Sequence, residues 1–584
     1  MKYLLQQLRY YRKETVLGPL FKLIEAMFDL LVPLVIAAMI DNGIEAKNTH
    51  YVLICCLLLA LCALAGLAST VTAQYFAAKA AVGSTTRLRQ VLFDKIQSLS
   101  FADLDRFGTS TLITRMTSDL NQVQSGVNLA LRLFLRSPFI VFGAMVMAFT
   151  IRPFAGVLFA VTIVALFLVV YGILFWSMAK QKHVRSGLDS LTSLTRENLT
   201  GVRVIRAFCR ENAETEEFSK RNDRFNHVQR VCGRILALLN PVTFFLLNLA
   251  AVLLLHFGAI RVNTGSLTQG QMIALYNYLT QILVELIKLA NLTISVSKAV
   301  TSAGRVGEVL DAVSTLQTEA PAKELPASAD ADAQIVFSDV SFAYPGAGAD
   351  SLSHISFRIP RGQTFGIIGG TGSGKSTLVH LIPHFYDATS GTVLLDGKPV
   401  QCYTQQQLAD KIGVVLQKTE LFAGTIRDNL KFSNPDADDA TLLAAMDAAQ
   451  ASDILTKKEA GLDTDIGQGG RALSGGQRQR ISIARALVKH PEILILDDSS
   501  SALDYATDAH LRHALQHLPG NPTVILISQR VASIRHADQI LVLDNGHAVG
   551  LGTHAQLLEN CPVYAEICQS QEKNAQRVGE EKVK

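Results

Sequence analysis

The sequence predicts an all-α domain of six membrane-spanning helices, followed by a soluble α/β domain. Of the 584 residues, 49% are hydrophobic and only 18% are charged, which is too apolar for a soluble protein of this size. Long apolar segments fill the first half of the chain. In the second half, short β-rich runs such as "TFGIIG", "VILIS" and "QILVLD" are separated by helical stretches.

Six segments are long enough to cross a membrane, because about 20 residues at ~1.5 Å each span a ~30 Å hydrocarbon core. They lie at 17–40, 51–78, 133–150, 155–178, 236–260 and 271–296. The linkers at 79–132 and 179–234 are long and rich in lysine and arginine, whereas the others are short and carry few. This asymmetry predicts that both termini and both long linkers are cytoplasmic. The basic, amphipathic segment Met1–Lys13 predicts a helix at the membrane surface.

Five ionisable residues lie inside the first and last spans, namely Lys22, Glu25, Asp29, Glu285 and Lys288. Charges inside a membrane are costly and usually face a bundle interior or a wet cavity. Lys22, Glu25 and Asp29 share one helix face, at offsets of three and four residues. Two interpretations remain open with equal weight. Glu25, Asp29 and Glu285 form the polar wall of a substrate cavity, or these charges pair between helices.

The segment 316–333 marks a domain boundary, because it is rich in alanine, proline and acidic residues and lacks periodicity. We therefore predict a transmembrane domain at 1–315, a linker at 316–333, a soluble domain at 334–570 and a charged, disordered tail at 571–584. The eight cysteines show neither a disulfide framework nor metal-ligand spacing. The net charge of +4 is small for this length and gives no indication of nucleic acid as a partner.

The segment "GGTGSGKST", residues 369–377, predicts a phosphate-binding loop. It follows a strand-like run, precedes a helical run and satisfies the pattern G-x-x-x-x-G-K-[ST]. In such a loop the backbone amides surround a phosphate chain, Lys375 reaches the β- and γ-phosphates, and Ser376 ligates Mg²⁺. The predicted nucleotide-binding residues of the loop are Gly369, Gly370, Thr371, Gly372, Ser373, Gly374, Lys375, Ser376 and Thr377. The soluble domain is thus predicted to be an α/β P-loop NTPase that binds a nucleotide together with Mg²⁺.

A second element of this site is "ILILDDSSSALD", residues 493–504, in which an apolar run ends in two adjacent aspartates. Asp497 stands at the end of the predicted strand, where a carboxylate can hold Mg²⁺ through water beside the phosphate loop.

The segment "LSGGQRQR", residues 473–480, lies just upstream of that strand. Together with the phosphate loop, Asp497 and "SALD", it resembles the ATP-binding cassette. The six spans with two long cytoplasmic loops resemble the exporter half-transporters of the ABC superfamily, and the resemblance covers residues 1–570. It implies ATP-driven export across a bacterial inner or plasma membrane by two cassettes that close head to tail. The signature residues that would contact ATP held by the partner are Leu473, Ser474, Gly475, Gly476 and Gln477.

The resemblance implies roles for several other positions. Tyr344 matches the aromatic residue that stacks on adenine, with a core tyrosine as the alternative, and Gln417 matches the glutamine that touches Mg²⁺. Asp504, which ends "SALD", belongs to a loop that crosses the dimer interface. The segment 197–211 resembles a coupling helix, and 101–119 has a similar but less sharply marked role.

Two positions depart from the pattern of active cassettes. Asp498 stands where the family has a glutamate that activates the attacking water, and Gln529 stands where it has a switch histidine near the γ-phosphate. The predicted function is therefore an exporter subunit with a slowly hydrolysing site of its own. It supplies an intact signature to a competent site in a heterodimer with a second half-transporter. An ATP-gated channel and a homodimeric exporter are the alternatives. The substrate is predicted to be hydrophobic or amphiphilic: drug-like, lipid or peptide.

Overall fold

The structure, a computed structural model, describes residues 1–313, 333–456, 458–499 and 503–581, without the side chains of 174, 179 and 572–581. Most of the predicted linker at 316–333 therefore lies outside the described residues. The chain forms two compact units. The helical unit comprises Met1–Gln97 and Thr109–Ala312, and the α/β unit comprises Ser98–Gly108 and Val313–Lys584.

Six helical stretches of the described chain are long and apolar enough to cross a membrane, which confirms the prediction of six spans. They are Lys2–Ile44, Thr49–Gln97, Thr109–Ile151, Pro153–Thr200, Glu211–Asn263 and Gln269–Leu310. Their lengths of 42 to 53 residues correspond to roughly 60–80 Å, about twice the hydrocarbon core of a bilayer. The α-helices of this unit are Lys2–Leu8, Arg12–Met39, Thr49–Gln97, Thr109–Thr114, Leu120–Leu133, Arg136–Ile151, Pro153–Thr200, Val202–Ala207, Glu211–Ala237, Leu239–Asn263 and Gln269–Leu310.

Small residues bring the helices of this unit close together. A Cβ atom at Gly270 would lie 2.2 Å from the carbonyl oxygen of Ala37, and one at Gly126 would lie 2.2 Å from the Cβ of Ala299. The hydroxyl of the fully buried Tyr278 donates to the carbonyl of Leu30 over 2.6 Å. Close approach of small residues is how membrane helices gain van der Waals contact where burial from water gives little.

The described residues of the α/β unit form two sheets. Its strands are β1 (Ala333–Phe342), β2 (Leu352–Pro360), β3 (Thr364–Gly369), β4 (Ser390–Leu395), β5 (Lys398–Pro399), β6 (Ile412–Val415), β7 (Ile493–Asp497), β8 (Thr523–Ile527), β9 (Gln539–Asp544) and β10 (His547–Gly552). The antiparallel sheet has the order β2-β1-β4-β5, and the larger sheet has the order β10-β9-β3-β8-β7-β6. All pairs of the larger sheet are parallel except β10 with β9. The predicted α/β class is confirmed.

The α/β unit also contains α-helices. They are Phe101–Phe107, Lys375–His380, Gln405–Lys411, Ile426–Lys431, Asp439–Ala448, Ser452–Thr456, Gly475–Leu487, Tyr505–Gln516, Val531–Ile534, His554–Asn560 and Pro562–Glu581. The last helix runs through most of the segment that the sequence predicts as a disordered tail. Its residues from 571 to 581 include good helix formers such as glutamate, glutamine and lysine and no proline, so the helix continues from its buried start.

Candidate functional site

Three parallel strands deliver the predicted nucleotide-binding residues to one edge of the larger sheet. Strand β8 lies between β3 and β7, and all three point the same way. The phosphate loop follows β3, Asp497 ends β7, and Gln529 comes two residues after β8. Ligands in such sheets bind at the carboxyl ends of the strands.

A cavity of about 540 Å³ lies at this edge. The predicted residues that line it are Tyr344, Thr371, Gly372, Gly374, Lys375, Ser376, Thr377, Gln417, Asp497, Asp498 and Gln529. Gly369, Gly370 and Ser373 are not lining residues and instead contact Lys375 from within the loop. The cavity is also lined by residues that carry no motif of their own and were not predicted, namely Asp350, Ser351, Ile527, Ser528, Asn545 and Gly546.

The backbone of the phosphate loop requires glycine. Gly374 has a φ of +95°, and a Cβ atom there would lie 2.7 Å from Cδ2 of Leu352 and 2.9 Å from the carbonyl oxygen of Ser351. The ammonium of Lys375 donates to the carbonyls of Gly369 and Gly370, over 2.9 and 2.6 Å. Burial lowers the pKa of Lys375, against the opposing effect of Asp498 and Asp497. A tight loop with an enclosed cation fits a phosphate chain.

The residues beside the loop fit a magnesium ion. The Ser376 hydroxyl donates to Oδ1 of Asp497 over 3.1 Å, and Gln417 lines the same cavity. Hydroxyl, carboxylate and amide oxygens are hard ligands of the kind that Mg²⁺ takes. Asp497 is only 2% exposed, and this burial raises the pKa of its carboxyl.

The two departing residues face this same cavity. Asp498 has a φ of +44°, a conformation that aspartate tolerates better than most residues, and its N–H donates to the carbonyl of Ile527 over 3.0 Å. Burial and the neighbouring Asp497 raise the pKa of Asp498, while Lys375 and Arg530 lower it. Asp498 is thus anchored through its backbone to the end of β8.

Tyr344 lies in the wall of the cavity. Its hydroxyl is hydrogen-bonded to that of Thr377 over 3.0 Å, and its ring meets that of Tyr386 edge-on at 5.4 Å between centroids. The ring is half-buried, so adenine stacking remains a prediction.

The signature residues are not among those that line the cavity. The helix Gly475–Leu487, which we call the signature helix, begins with Ser474, whose hydroxyl accepts from the N–H of Gln477 over 3.3 Å. Gln477 in turn accepts from the N–H of Ser474 over 2.9 Å. Ser474 and Gly475 are exposed, so the start of this helix is open to a second molecule. Asp504 caps the helix Tyr505–Gln516 in a similar way, and its bonds to Thr507 lower the pKa of its carboxyl.

Part of the predicted segment 101–119 belongs to the α/β unit. The ring of Phe101 stacks on that of Phe385 at 4.1 Å, and the hydroxyl of Tyr386 donates to Oδ2 of Asp105 over 2.6 Å. Sequence reasoning missed Tyr386, which carries no motif. In the segment 197–211, the helix Val202–Ala207 has no buried residue, and the side chain of Phe208 is 74% exposed.

A network of charged groups lies within the helical unit. Its centre is Arg136, which donates to Glu285 over 2.7 Å and to Asp29 over 2.8 Å, and lies 3.5 Å from Glu25. Lys22 pairs with Glu25, and Lys288 donates to Glu285 over 2.9 Å. The network therefore has three carboxylates and three cations. Sequence reasoning missed Arg136, although a charge just inside the span 133–150 could have indicated it.

Part of this network borders a cavity of about 420 Å³. Asp29, Arg136, Glu285 and Lys288 line it together with apolar and amide side chains, whereas Glu25 does not. The side chains of Asp29 and Lys288 are each 42% exposed. Both interpretations of the intramembrane charges thus have a structural basis, since the groups pair with one another and some of them also face a cavity.

The chain matches two family models. Residues 15–286 match the ABC transporter transmembrane region, and residues 352–501 match the ABC transporter model.

Similar proteins extend over most of the chain. An uncharacterised ABC transporter ATP-binding protein of Mycobacterium tuberculosis is 34% identical over 98% of each chain. An ATP-dependent lipid A-core flippase of Syntrophus aciditrophicus is 33% identical over 85% of this chain and 81% of the relative. The structure of a bacterial Atm1-family ABC exporter with ATP bound shares the fold, with a TM-score of 0.79 and 23% identity over 96% of this chain and 98% of that one. The chain therefore belongs to the ABC transporter family, as a half-transporter of the exporter type in which ATP hydrolysis is coupled to transport.

Proposed function

We propose that this chain is the subunit of a heterodimeric exporter whose own ATP site hydrolyses slowly. The observation that carries the proposal is that Asp498 and Gln529 both line the cavity that contains Lys375 and Ser376. Both departures from the family pattern thus fall on the same phosphate-binding pocket.

Each departure weakens hydrolysis for a physical reason. Aspartate is one carbon shorter than glutamate, so its carboxylate loses roughly 1.5 Å of reach. A misplacement of about 1 Å can cost ~100-fold in rate. The amide of Gln529 can hydrogen-bond a phosphate, but unlike histidine it cannot take up a proton near neutral pH. A pocket with both changes binds ATP with Mg²⁺, held by Ser376, Gln417 and Asp497, and turns it over rarely.

The intact signature has a use only in a pair of chains. Ser474 and Gly475 are exposed at the start of the signature helix and do not line the chain's own cavity. Amide groups at a helix N-terminus attract anions such as the phosphates of a partner's ATP. A partner with glutamate and histidine at the positions of Asp498 and Gln529 would form the competent site against this signature.

The working cycle follows from this asymmetry. ATP binding closes the two cassettes, and hydrolysis at the competent site reopens them. The segments 101–119 and 197–211 carry the motion to the membrane domain. Both termini are on the cytoplasmic side, and the substrate leaves across the cell membrane.

The intramembrane network bears on the substrate. Because Asp29, Glu285 and Glu25 are each paired with a cation, the acidic residues alone give no preference for cationic compounds. A neutral or zwitterionic amphiphile leaves the charge of the network balanced, whereas a singly charged group adds an uncompensated charge in a region of low dielectric. We therefore favour amphiphilic substrates without net charge among the drug-like, lipid and peptide classes.

Purification of the tagged chain from its native membranes, at native expression, tests the pairing. We expect a second half-transporter in a 1:1 ratio, with glutamate and histidine at the two matching positions. Recovery of the tagged chain only with an untagged copy of itself would identify a homodimer and overturn the proposal. The purified complex in vesicles should also move substrate against its gradient. Passive ion flux gated by ATP, without uphill transport, would instead indicate a channel.

A further inference from the structure

The helix Pro562–Glu581, which we call the C-terminal helix, presents one stripe of side chains to the α/β unit. Tyr564 is fully buried and Cys568 is nearly so, and Ile567 packs against the same hydrophobic cluster. That cluster includes Val531. Gln571 follows Tyr564 by seven residues and Cys568 by three, so it continues the same helical face by one more turn. The apolar stripe thus fixes the position from which Gln571 projects.

The side-chain amide of Gln571 bonds the backbone on both sides of Arg530. Its Oε1 accepts from the N–H of Val531 over 2.9 Å, and its Nε2 donates to the carbonyl of Gln529 over 2.7 Å. Val531 is the first residue of the short helix Val531–Ile534, and the preceding residue, Arg530, makes no side-chain capping bond. N–H groups at a helix start have no partner within the helix. Gln571 supplies the hydrogen-bond acceptor for the N–H of Val531 from a position 40 residues further along the chain.

These bonds fall on the segment that carries Gln529. On one side of it, Ser528 is held to β3 through its N–H, which donates to the carbonyl of Ile367 over 3.1 Å. On the other side, Arg512 donates to the carbonyl of Ala532 over 2.7 Å. Gln571 holds the stretch between these two anchors.

We propose that Gln571 is a positioning residue for Gln529, and that it ties the C-terminal helix to the contact with the terminal phosphate of ATP. The amide fixes the backbone from which the side chain of Gln529 enters the nucleotide cavity. This inference rests on the proposed role of Gln529 at the γ-phosphate. It is independent of the proposed slow hydrolysis and of the heterodimer.

The test uses three variants of the full-length chain in lipid nanodiscs. Gln571→Ala removes both bonds. Gln571→Glu keeps an acceptor for the N–H of Val531 but places a carboxylate against the carbonyl of Gln529. Gln569→Ala is the matched control, because Gln569 is an exposed glutamine on the same helix. The measurements are hydrogen exchange of the Val531 amide and the dissociation constants of ATP and ADP, with melting temperature as a check of folding.

We expect Gln571→Ala to speed exchange at Val531 roughly tenfold, the effect of losing one hydrogen bond. Gln571→Glu should leave that exchange slow and the melting temperature unchanged. Both variants should weaken ATP binding several-fold and leave ADP binding unchanged, because ADP has no terminal phosphate for Gln529 to contact. Three results would each overturn the proposal. The first is unaltered hydrogen exchange at Val531 in Gln571→Ala. The others are an equal loss of affinity for ATP and ADP, and an affinity of Gln571→Glu for ATP that equals that of the unmodified chain. The test does not measure the rate of hydrolysis. Its result for Gln571 is therefore independent of whether the proposed slow hydrolysis is correct.

Discussion

Replacing Arg136 by methionine removes the centre of the intramembrane network and leaves its carboxylates in place. Three carboxylates would then face two cations, Lys22 and Lys288, so the network gains one uncompensated negative charge. Breaking a buried ion pair by removing one partner typically costs 3–5 kcal/mol. Asp29 is 42% exposed and lines a cavity, so it is not fully buried, and we expect the lower end of that range, about 3 kcal/mol.

The assay is thermal unfolding of the full chain in one detergent, with Lys220→Met as the matched control. Lys220 pairs with Glu216 over 2.8 Å, but both side chains are about two-thirds exposed, and such surface pairs contribute only about 0–1 kcal/mol. Asp29→Asn added to Arg136→Met removes the excess charge and should recover part of the lost stability. The network is not a buried, charge-balanced unit if Arg136→Met has the same melting temperature as Lys220→Met and the addition of Asp29→Asn does not raise that temperature.

Three further predictions concern the α/β unit. Gly374→Ala should weaken ATP binding more than tenfold in an equilibrium titration. The reason is that alanine is strained at a φ of +95° and its Cβ would clash with the side chain of Leu352. Binding as tight as in the unmodified chain would contradict this. Tyr386→Phe removes the hydrogen bond to Asp105, which lies in the segment 101–119. ATP binding should be unchanged, while the stimulation of ATP hydrolysis by substrate should fall several-fold. Full stimulation would count against a coupling role for this contact. The raised pKa of Asp498 means that its carboxylate gains a proton at a higher pH than a free aspartate does. The rate of ATP hydrolysis should therefore fall as pH decreases through that pKa, and a pH profile that Asp498→Asn leaves unchanged would refute this.

Local sequence patterns predicted those features of the fold that depend on neighbouring residues in the chain: the membrane helices, the strand ends and the phosphate loop. Six apolar segments had to be membrane helices, because helices satisfy their own backbone hydrogen bonds in lipid. The strand ends at Gly369 and Asp497 converge because parallel strands of one sheet share an edge. The segment "GGTGSGKST" predicted a glycine-dependent loop, and the φ of Gly374 agrees with it.

Contacts between residues far apart in the sequence were not predictable in this way. Arg136 lies 107 residues from Asp29 and 149 from Glu285, and no periodicity connects them. The bond between Tyr386 and Asp105 joins positions 281 residues apart, so the grouping of Ser98–Gly108 with the α/β unit could not be read from composition. Gln571 lay in a segment that looked disordered by its charge. Its two bonds to the backbone depend on where the buried Tyr564 places the helix.

In the proposed function, Asp498 and Gln529 limit the rate at which this chain hydrolyses ATP. The most direct test is the steady-state ATP hydrolysis rate of the purified chain alone, compared with that of the double variant Asp498→Glu with Gln529→His. A second copy can complete the site, because the signature is intact. We expect the unmodified chain to bind ATP and hydrolyse it very slowly, and the double variant to be faster by up to about 100-fold. Rapid hydrolysis by the unmodified chain, with no gain in the double variant, would show that these two residues do not limit hydrolysis.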